Sequence, residues 1–319
     1  MKQVFVEAIG TQVSSVGFGC ASLGSRVGTR EGLQALERAY EAGVTWYDVA
    51  PSYGDGAAES IWGEFACRRR DRVCVCTKVG MRPPTTSTAM RLLKPLFRIS
   101  IAAFPVLKQY SSRVRSTPFK VPLSAEVIRS SVEESLRRLR TDYVDVLALH
   151  RPTVEELAHE DIVRAAERLV QDGKARAISV AGSLEAGIRS LGETLPYGLV
   201  QIANTPIERN LGKLKERADS RRTFITHGTF SCLDWVIAKI NTNEKVRAAL
   251  LDFGFRGDPP EIATEFLADY AFSTNSNGVT LVSMLRKSHL DFNLQRLRSY
   301  PTPERLTSIV AALDAATTD

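Results

Sequence analysis

Strand-like and helix-like stretches alternate along almost the whole chain, and this alternation restricts the fold more than any other feature of the sequence. Short runs rich in valine, isoleucine and leucine are each followed by a segment with apolar residues at helical spacing. Strands that alternate with helices form a parallel sheet, because each helix returns the chain to the edge where the next strand begins. The eight predicted strands are 16–19, 44–48, 73–78, 144–150, 175–181, 198–203, 223–227 and 278–282.

Eight strand–helix units in a chain of 319 residues predict one closed (β/α)8 barrel, the TIM barrel of the α/β class, spanning 1–319 as a single domain. An open doubly wound sheet is the alternative. It is less consistent with the sequence, because Gly17-Phe18-Gly19 lacks the third glycine of the dinucleotide-binding fingerprint. Residues 1–15 predict a short hairpin ahead of the barrel, with Gly10 between two strand-like runs.

Composition and charge restrict the classes of function. The first residues lack the long apolar core of a signal peptide, and no apolar run reaches membrane-spanning length. Five cysteines without metal-ligand spacing favour a reduced, cytoplasmic protein, with Cys74 and Cys76 buried on one strand face. The net charge of +6 is mild, and no basic stripe with interleaved aromatics is present, which argues against nucleic-acid binding.

Ionisable residues end three consecutive predicted strands. Asp48, Lys78 and His150 close the second, third and fourth strands, and Tyr53 follows Asp48 on its loop. Neighbouring strand ends lie side by side in a barrel, so these four side chains are expected to meet where barrel enzymes have their active site. Each residue has a simple structural explanation by itself, as a cap, a solvated strand end or a loop residue. Four such residues at one face make a shared function the better interpretation.

The chemistry of this group points to proton transfer at an oxygen atom. A neighbouring ammonium favours the phenolate form, so Lys78 is expected to lower the pKa of Tyr53. Asp48 can hold Lys78 through a charge-assisted hydrogen bond, and His150 can orient a carbonyl oxygen. No good nucleophile and no metal-ligand set accompany them. The group therefore suits reduction of a carbonyl or oxidation of an alcohol, with the hydride supplied by a cofactor.

Several segments match one known family. They are Asp48-Val49-Ala50-Pro51-Ser52-Tyr53-Gly54, Thr77-Lys78, Leu149-His150-Arg151-Pro152, the early Gly17-Phe18-Gly19 loop, and helix 130–140 with Thr141-Asp142-Tyr143-Val144-Asp145 after it. On these segments the chain resembles the aldo-keto reductase superfamily, most strongly over 16–182, and within it the sugar-dehydrogenase-like branch of bacteria and plants. The resemblance implies a monomeric barrel that binds extended NADP(H), with NAD(H) as the alternative. It also implies that Tyr53 is the general acid/base, Lys78 and Asp48 tune it, and His150 orients the carbonyl.

The resemblance also implies where the nicotinamide would bind, and here the sequence departs from the family pattern. The family's Ser-Asn pair after the fifth strand is replaced by Ala181-Gly182. Gln201 keeps the family's other carboxamide contact, and His227 lies where the family has an aromatic residue stacked on the nicotinamide. The proton-transfer half of the site is thus retained, while the cofactor half has changed.

The region after the eighth strand is the expected site for the adenosine phosphate. Of the family's Glu-Asn pair only Asn293 is retained, and Arg286, Lys287 and His289 are placed to meet a 2′-phosphate near a helix N-terminus. A solvated basic turn is the alternative interpretation of these residues. Two hypotheses follow for the whole chain. One is a working NADP(H)-dependent oxidoreductase acting on a small carbonyl or alcohol; the other is a redox-inactive barrel that binds a partner, regulates, or transfers protons without a cofactor.

A long insertion follows the third predicted strand, at 81–123. From Lys78 to Lys120, both included, there are nine Lys and Arg and no Asp or Glu, and 90–108 has a basic amphipathic pattern broken by Pro95 and Pro105. The simple interpretation is a lid packed on the barrel mouth. The alternative is a surface for a large apolar or anionic substrate, or for an acidic partner or anionic membrane surface bound through 90–120.

Overall fold

Eight parallel strands close into a barrel in the computed structural model, which describes residues 1–83, 118–219 and 222–316. Consecutive barrel strands along the chain are neighbours in space, and the last strand pairs with the first. The predicted TIM barrel is confirmed, and the open doubly wound sheet is wrong. The barrel strands are β3 (Val16–Gly19), β4 (Trp46–Asp48), β5 (Cys74–Val79), β8 (Val144–His150), β9 (Ala175–Gly182), β10 (Tyr197–Ala203), β11 (Thr223–His227) and β12 (Val279–Val282).

Helices surround the barrel and bury its outward-facing side chains. The α-helices are α1 (Thr29–Glu41), α2 (Ala58–Ala66), α3 (Ala125–Leu139), α4 (Val154–Ala158), α5 (Glu160–Gln171), α6 (Leu184–Ser190), α7 (Asn210–Lys215), α8 (Leu233–Thr242), α9 (Glu244–Phe253), α10 (Pro259–Thr274), α11 (Lys287–Leu297) and α12 (Thr307–Ala315). Short 3₁₀ turns are Glu7–Ile9, Tyr53–Gly56, Arg70–Arg72, Thr229–Cys232 and Pro303–Leu306. Within the described ranges, no helix combines the length and the apolar character needed to cross a membrane.

Two helix boundaries show how local capping acts. Ser124 caps α3, because its hydroxyl accepts a hydrogen bond from the Val127 amide at 3.2 Å. Residues Leu233–Phe253 form two consecutive helices, α8 and α9. They part at Asn243, whose side-chain oxygen accepts hydrogen bonds from the amides of Lys245 and Val246 at 3.1 and 3.2 Å. Asn243 has an extended backbone and begins a new helix there.

The predicted N-terminal hairpin closes the barrel at the amino ends of its strands. Strands β1 (Gln3–Val6) and β2 (Thr11–Ser14) pair antiparallel, and their apolar side chains join the cluster inside the barrel. Arg176 connects the hairpin to the barrel, since it donates to the Thr11 hydroxyl at 2.8 Å and to buried Asp145 at 3.0 Å. The polar residues singled out in the sequence lie at the opposite end of the barrel, where the strands have their carboxyl ends.

Pairing register fixes which side chains face the barrel interior together. Paired residues on neighbouring parallel strands point to the same side of the sheet. Asp48 pairs with Cys76, Lys78 pairs with Ala148, and His150 pairs with Ala181, which in turn pairs with Gln201. Polar residues therefore face inward at the carboxyl end of four barrel strands.

The base of the long insertion is a small antiparallel ladder. Strand β6 (Met81–Arg82) follows β5 directly and pairs with β7 (Phe119–Lys120). The residues between, 84–117, lie outside the described part of the chain. Residues 90–117, which carry the basic amphipathic pattern and most of the predicted partner-binding surface 90–120, therefore lie outside the described residues. All five cysteines are free thiols, and Cys74 and Cys76 are buried as predicted.

Candidate active site

Asp48 and Lys78 form a buried ion pair at the carboxyl ends of β4 and β5. The Lys78 ammonium donates to Asp48 Oδ1 at 2.6 Å and to the carbonyl oxygen of Val49 at 3.1 Å. The Lys78 and Asp48 side chains are 1% and 2% exposed, respectively. Burial is the largest single effect and alone would lower the pKa of Lys78, but the interactions with Asp48, Tyr53 and Cys76 together raise that pKa above its ordinary value. Lys78 is therefore a fixed positive charge inside the barrel mouth.

Tyr53 lies against this charge. The Lys78 ammonium is 4.6 Å from the centre of the Tyr53 ring, and the ring meets the His150 imidazole edge-to-face with centroids 6.0 Å apart. The structure thus brings together the four side chains singled out in the sequence. Burial raises the pKa of Tyr53 to about 12, and Lys78 lowers it by less than burial raises it. The ammonium lowers this pKa, as the sequence predicts, but the effect of burial is larger and the net shift is upward.

His150 completes the group as a neutral imidazole. Burial lowers its pKa to about 3, and the positive charges of Lys78 and Arg151 act in the same direction. Its Nδ1 is buried and has no hydrogen-bond partner among the described groups. A neutral imidazole with unused hydrogen-bonding capacity can donate one hydrogen bond to a substrate oxygen without introducing a charge.

The loop that carries Tyr53 is held by contacts between two backbones. The amide of Gly54 donates to the carbonyl oxygen of Ala21 at 3.0 Å, which ties the loop after β4 to the loop after β3. Gly54 has φ +59°, and a Cβ at this position would lie 1.6 Å from the carbonyl oxygen of Leu23. No side chain fits there, so the position of Tyr53 depends on glycine at 54.

Replacing Gly54 with alanine is expected to lower the free energy of unfolding by about 3 kcal/mol or more, because both the backbone conformation and the contact with Leu23 become unfavourable. Gly10→Ala is the matched control, since Gly10 has φ +58° and a Cβ there would have no atom within 4 Å. Gly10→Ala should lower the free energy of unfolding by about 1–2 kcal/mol, because it adds only the cost of the left-handed conformation. Urea unfolding measures both, and equal losses would contradict the role of the Leu23 contact.

The end of β5 is supported by buried contacts of Glu59, which the sequence analysis did not indicate. Thr77 is the residue before Lys78, and its hydroxyl donates to Glu59 at 2.6 Å. Glu59 lies on α2, is 1% exposed, and also pairs with Arg138 of α3 at 2.7 Å. This contact fixes the end of β5 to two helices. The available signal was a glutamate on the otherwise apolar face of α2, next to Ala58, Ile61 and Trp62.

Two of the predicted cofactor residues face the same barrel mouth. Gln201 is 3% exposed, and its Oε1 has no hydrogen-bond partner within the described ranges. His227 ends β11, opposite Ala203. Burial lowers the pKa of His227, Asp48 raises it and Lys78 lowers it, so the histidine lies within electrostatic range of the ion pair. Gln201 and His227 thus lie at the same end of the barrel as the Lys78–Asp48 ion pair.

The other four predicted cofactor residues form a separate group where α11 begins. Arg286 precedes the helix, Lys287 pairs with Asp291 at 2.6 Å, and His289 follows in the first turn, all three being exposed. Asn293 is buried one turn further along. Arg38 of α1, which sequence reasoning missed, donates to the carbonyl oxygen of Leu285 at 3.2 Å and so holds the preceding turn. The helix N-terminus and three exposed basic side chains suit an anion.

Comparison with known proteins agrees with this arrangement. The model of the "Aldo/keto reductase family" matches residues 15–218, more than half of the chain. A D-threo-aldose 1-dehydrogenase of Pseudomonas sp is 28% identical over 210 residues, which cover 61% of this chain and 58% of that protein. The chain spans less than two thirds of the length of the first curated relatives it matches.

Solved structures share the fold at low sequence identity. The holo form of an aldo-keto reductase from Bacillus halodurans superposes with a TM-score of 0.71 at 19% identity, covering 98% of this chain and 96% of that one. An aldo/keto reductase from Klebsiella pneumoniae in complex with NADP and acetate has a TM-score of 0.65 at 19% identity, covering 97% and 94%. With a matching family model and the barrel these structures share, the chain belongs to the aldo/keto reductase family.

Proposed function

We propose that this protein is an oxidoreductase that transfers a hydride between NADP(H) and a small carbonyl or alcohol substrate, with Tyr53 as its general acid/base. One observation carries the proposal. The buried Lys78–Asp48 ion pair lies against the Tyr53 ring, and the neutral His150 imidazole meets the same ring edge-to-face. A buried ion pair contributes little to stability compared with apolar packing, so its position beside a phenol favours a chemical role.

The proton step follows from the charges around Tyr53. The phenol is protonated at neutral pH, with a pKa of about 12. An alkoxide formed from a carbonyl is a stronger base than this phenolate, because its conjugate alcohol, like water, is a much weaker acid than a phenol. The proton therefore moves from Tyr53 Oη to the substrate oxygen during reduction and returns during oxidation. Lys78 stabilises the phenolate that remains, and His150 donates a hydrogen bond that orients the oxygen.

The residues present fit a nicotinamide cofactor. The unpartnered Oε1 of buried Gln201 can accept a hydrogen bond from the carboxamide, and the flat imidazole of His227 can pack on the ring. Arg286, Lys287 and His289 suit the phosphate groups, a 2′-phosphate included, which favours NADP(H) over NAD(H). Asn293 is assigned to the adenosine end by resemblance. When bound, the nicotinamide donates or accepts the hydride, which no protein side chain can do.

Titration with NADPH tests this function directly. Buried Trp46 and Trp62 supply a fluorescence signal, and we expect saturable quenching with a Kd below about 1 mM. Gln201→Ala should weaken binding about tenfold, because one buried hydrogen bond is lost. Arg286→Ala should weaken the binding of NADPH more than the binding of NADH. Absence of binding at millimolar NADPH would instead favour a redox-inactive barrel that binds a partner or transfers protons without a cofactor.

The substrate class is proposed from the relatives as well as from the site. Named curated relatives include a D-threo-aldose 1-dehydrogenase and an L-galactose dehydrogenase of Arabidopsis thaliana. We therefore propose aldoses and related hydroxy-carbonyl compounds as the first substrates to screen, in both reaction directions. Turnover with such a compound and NADP(H) would support the proposal, whereas NADPH binding without turnover on any carbonyl or alcohol would contradict the substrate class.

A further inference from the structure

Glu156 accepts three hydrogen bonds from groups that belong to different segments of the barrel mouth. Its Oε1 accepts from the Leu123 amide at 2.9 Å, and its Oε2 accepts from the Thr153 amide at 2.7 Å and from the Lys120 ammonium at 3.0 Å. The Glu156 side chain is 16% exposed. Burial raises the pKa of Glu156, but these three donors lower it by more, so the carboxylate is charged at neutral pH.

The segments joined in this way lie on either side of His150. Thr153 is three residues after His150, on the loop that leaves β8. Leu123 and Lys120 end the return of the long insertion, whose ladder begins directly after β5. Both segments also approach Gly80, where a Cβ would lie 2.9 Å from the His150 carbonyl oxygen and 3.4 Å from the Leu123 side chain. Glu156 therefore joins the loop of His150 to the wall formed by 118–123.

We propose that Glu156 is a positioning residue for the substrate: it holds residues 118–123 against the His150 loop and so fixes one wall of the substrate site. This inference rests on the proposed function. Strand β7 in this wall carries Phe119, an apolar side chain that is 44% exposed. The Asp48, Lys78 and Tyr53 group is held by other contacts, on β4, β5 and α2. Loosening the wall should therefore weaken substrate binding and leave the proton step in place.

A purely structural role for Glu156 predicts a different result. Glu156 and Thr153 form a capping box at the start of α4, in which the Thr153 hydroxyl accepts from the Glu156 amide at 3.2 Å. Thr153→Ala removes that half of the box and leaves all three bonds accepted by the Glu156 carboxylate. It is therefore the matched control for helix capping. Lys120→Met removes the ion pair and keeps both backbone bonds.

The experiment compares Glu156→Gln, Thr153→Ala and Lys120→Met with the wild type in the full chain. We expect Glu156→Gln to raise KM for the carbonyl substrate about tenfold, because a partly buried acceptor oxygen is lost and the side-chain amide presents a donor to the Lys120 ammonium. Its kcat and NADPH Kd should stay within about twofold of the wild type. This is expected when a mutation weakens substrate binding equally in the ground state and the transition state. Lys120→Met should raise KM by a smaller factor, and Thr153→Ala should lower Tm without changing KM.

Hydrogen exchange gives a readout that needs no turnover. The amides of Phe119, Lys120, Val121, Leu123 and Ser124 should exchange faster in Glu156→Gln than in Thr153→Ala, in the presence of NADPH. An equal rise in KM in Glu156→Gln and Thr153→Ala would overturn the positioning role. A fall in kcat of Glu156→Gln as large as its rise in KM would overturn it as well. If the wild type turns over no substrate, the proposed function fails, and this does not decide the role of Glu156. Equal exchange rates in both variants would then show that Glu156 does not hold 118–123 against the His150 loop.

Discussion

Tyr53→Phe is expected to lower kcat by about 10²–10⁴-fold, the usual contribution of a positioned general acid. In the proposed function the Tyr53 phenol gives the proton to the substrate oxygen, since Lys78 is held by Asp48 and His150 is neutral. Phenylalanine keeps the ring that packs between Lys78 and His150, so the barrel mouth should retain its shape. NADPH affinity should therefore remain within about twofold, as expected for loss of an interaction made only in the transition state. Steady-state kinetics and fluorescence titration measure the two quantities.

Tyr47→Phe is the matched control for losing a buried phenol. The Tyr47 hydroxyl donates to the Val44 carbonyl oxygen at 3.1 Å, in the packing between β4 and the helices, away from the ion pair. Its removal should cost about 1 kcal/mol of stability and leave turnover unchanged. Retained turnover in Tyr53→Phe would refute the assigned acid. A comparable loss of turnover in both variants would point to a general effect of disturbed packing.

The sequence predicted the active-site group because register and topology follow from simple periodicity. Once Asp48, Lys78 and His150 are each recognised as strand ends, a parallel barrel brings them together regardless of the details of packing. The Ser124 cap was equally local, since it depends on residues within one turn. Features encoded over short distances, or by the order of strands, were therefore accessible from the sequence.

The contacts that support the site were not accessible in this way. Glu59 meets Arg138 from 79 residues away, and Arg38 meets Leu285 from 247 residues away. Nothing in either local sequence identifies the partner. The net shift of the Tyr53 pKa could not be predicted for a related reason. The sequence shows that an ammonium is near, but the size of the opposing burial effect depends on how completely the loops close over the ring.

Lys78→Met is expected to lower the free energy of unfolding by about 3–5 kcal/mol, because it leaves the Asp48 carboxylate buried without its partner. Turnover should fall by about 10²–10³-fold, as when a preorganised charge is removed beside a reacting group. The wild-type pKa of Lys78 is raised in the folded state, so its contribution is complete below the unfolded value of about 10.4. It is lost only as the pH rises through the higher folded value. The stability deficit of the variant measured by urea unfolding should consequently not depend on lysine ionisation between about pH 6 and pH 9.

Adding Asp48→Asn to Lys78→Met separates charge from packing. The double variant has no buried charge at this position, so it should recover at least half of the stability lost by Lys78→Met. Its turnover should remain low, because the ammonium that stabilises the Tyr53 phenolate is still absent. Recovery of stability without recovery of activity would show that the ion pair is retained for chemistry. If the double variant is no more stable than Lys78→Met, the loss comes from packing of the lysine chain, and the buried charge of Asp48 is not its cause.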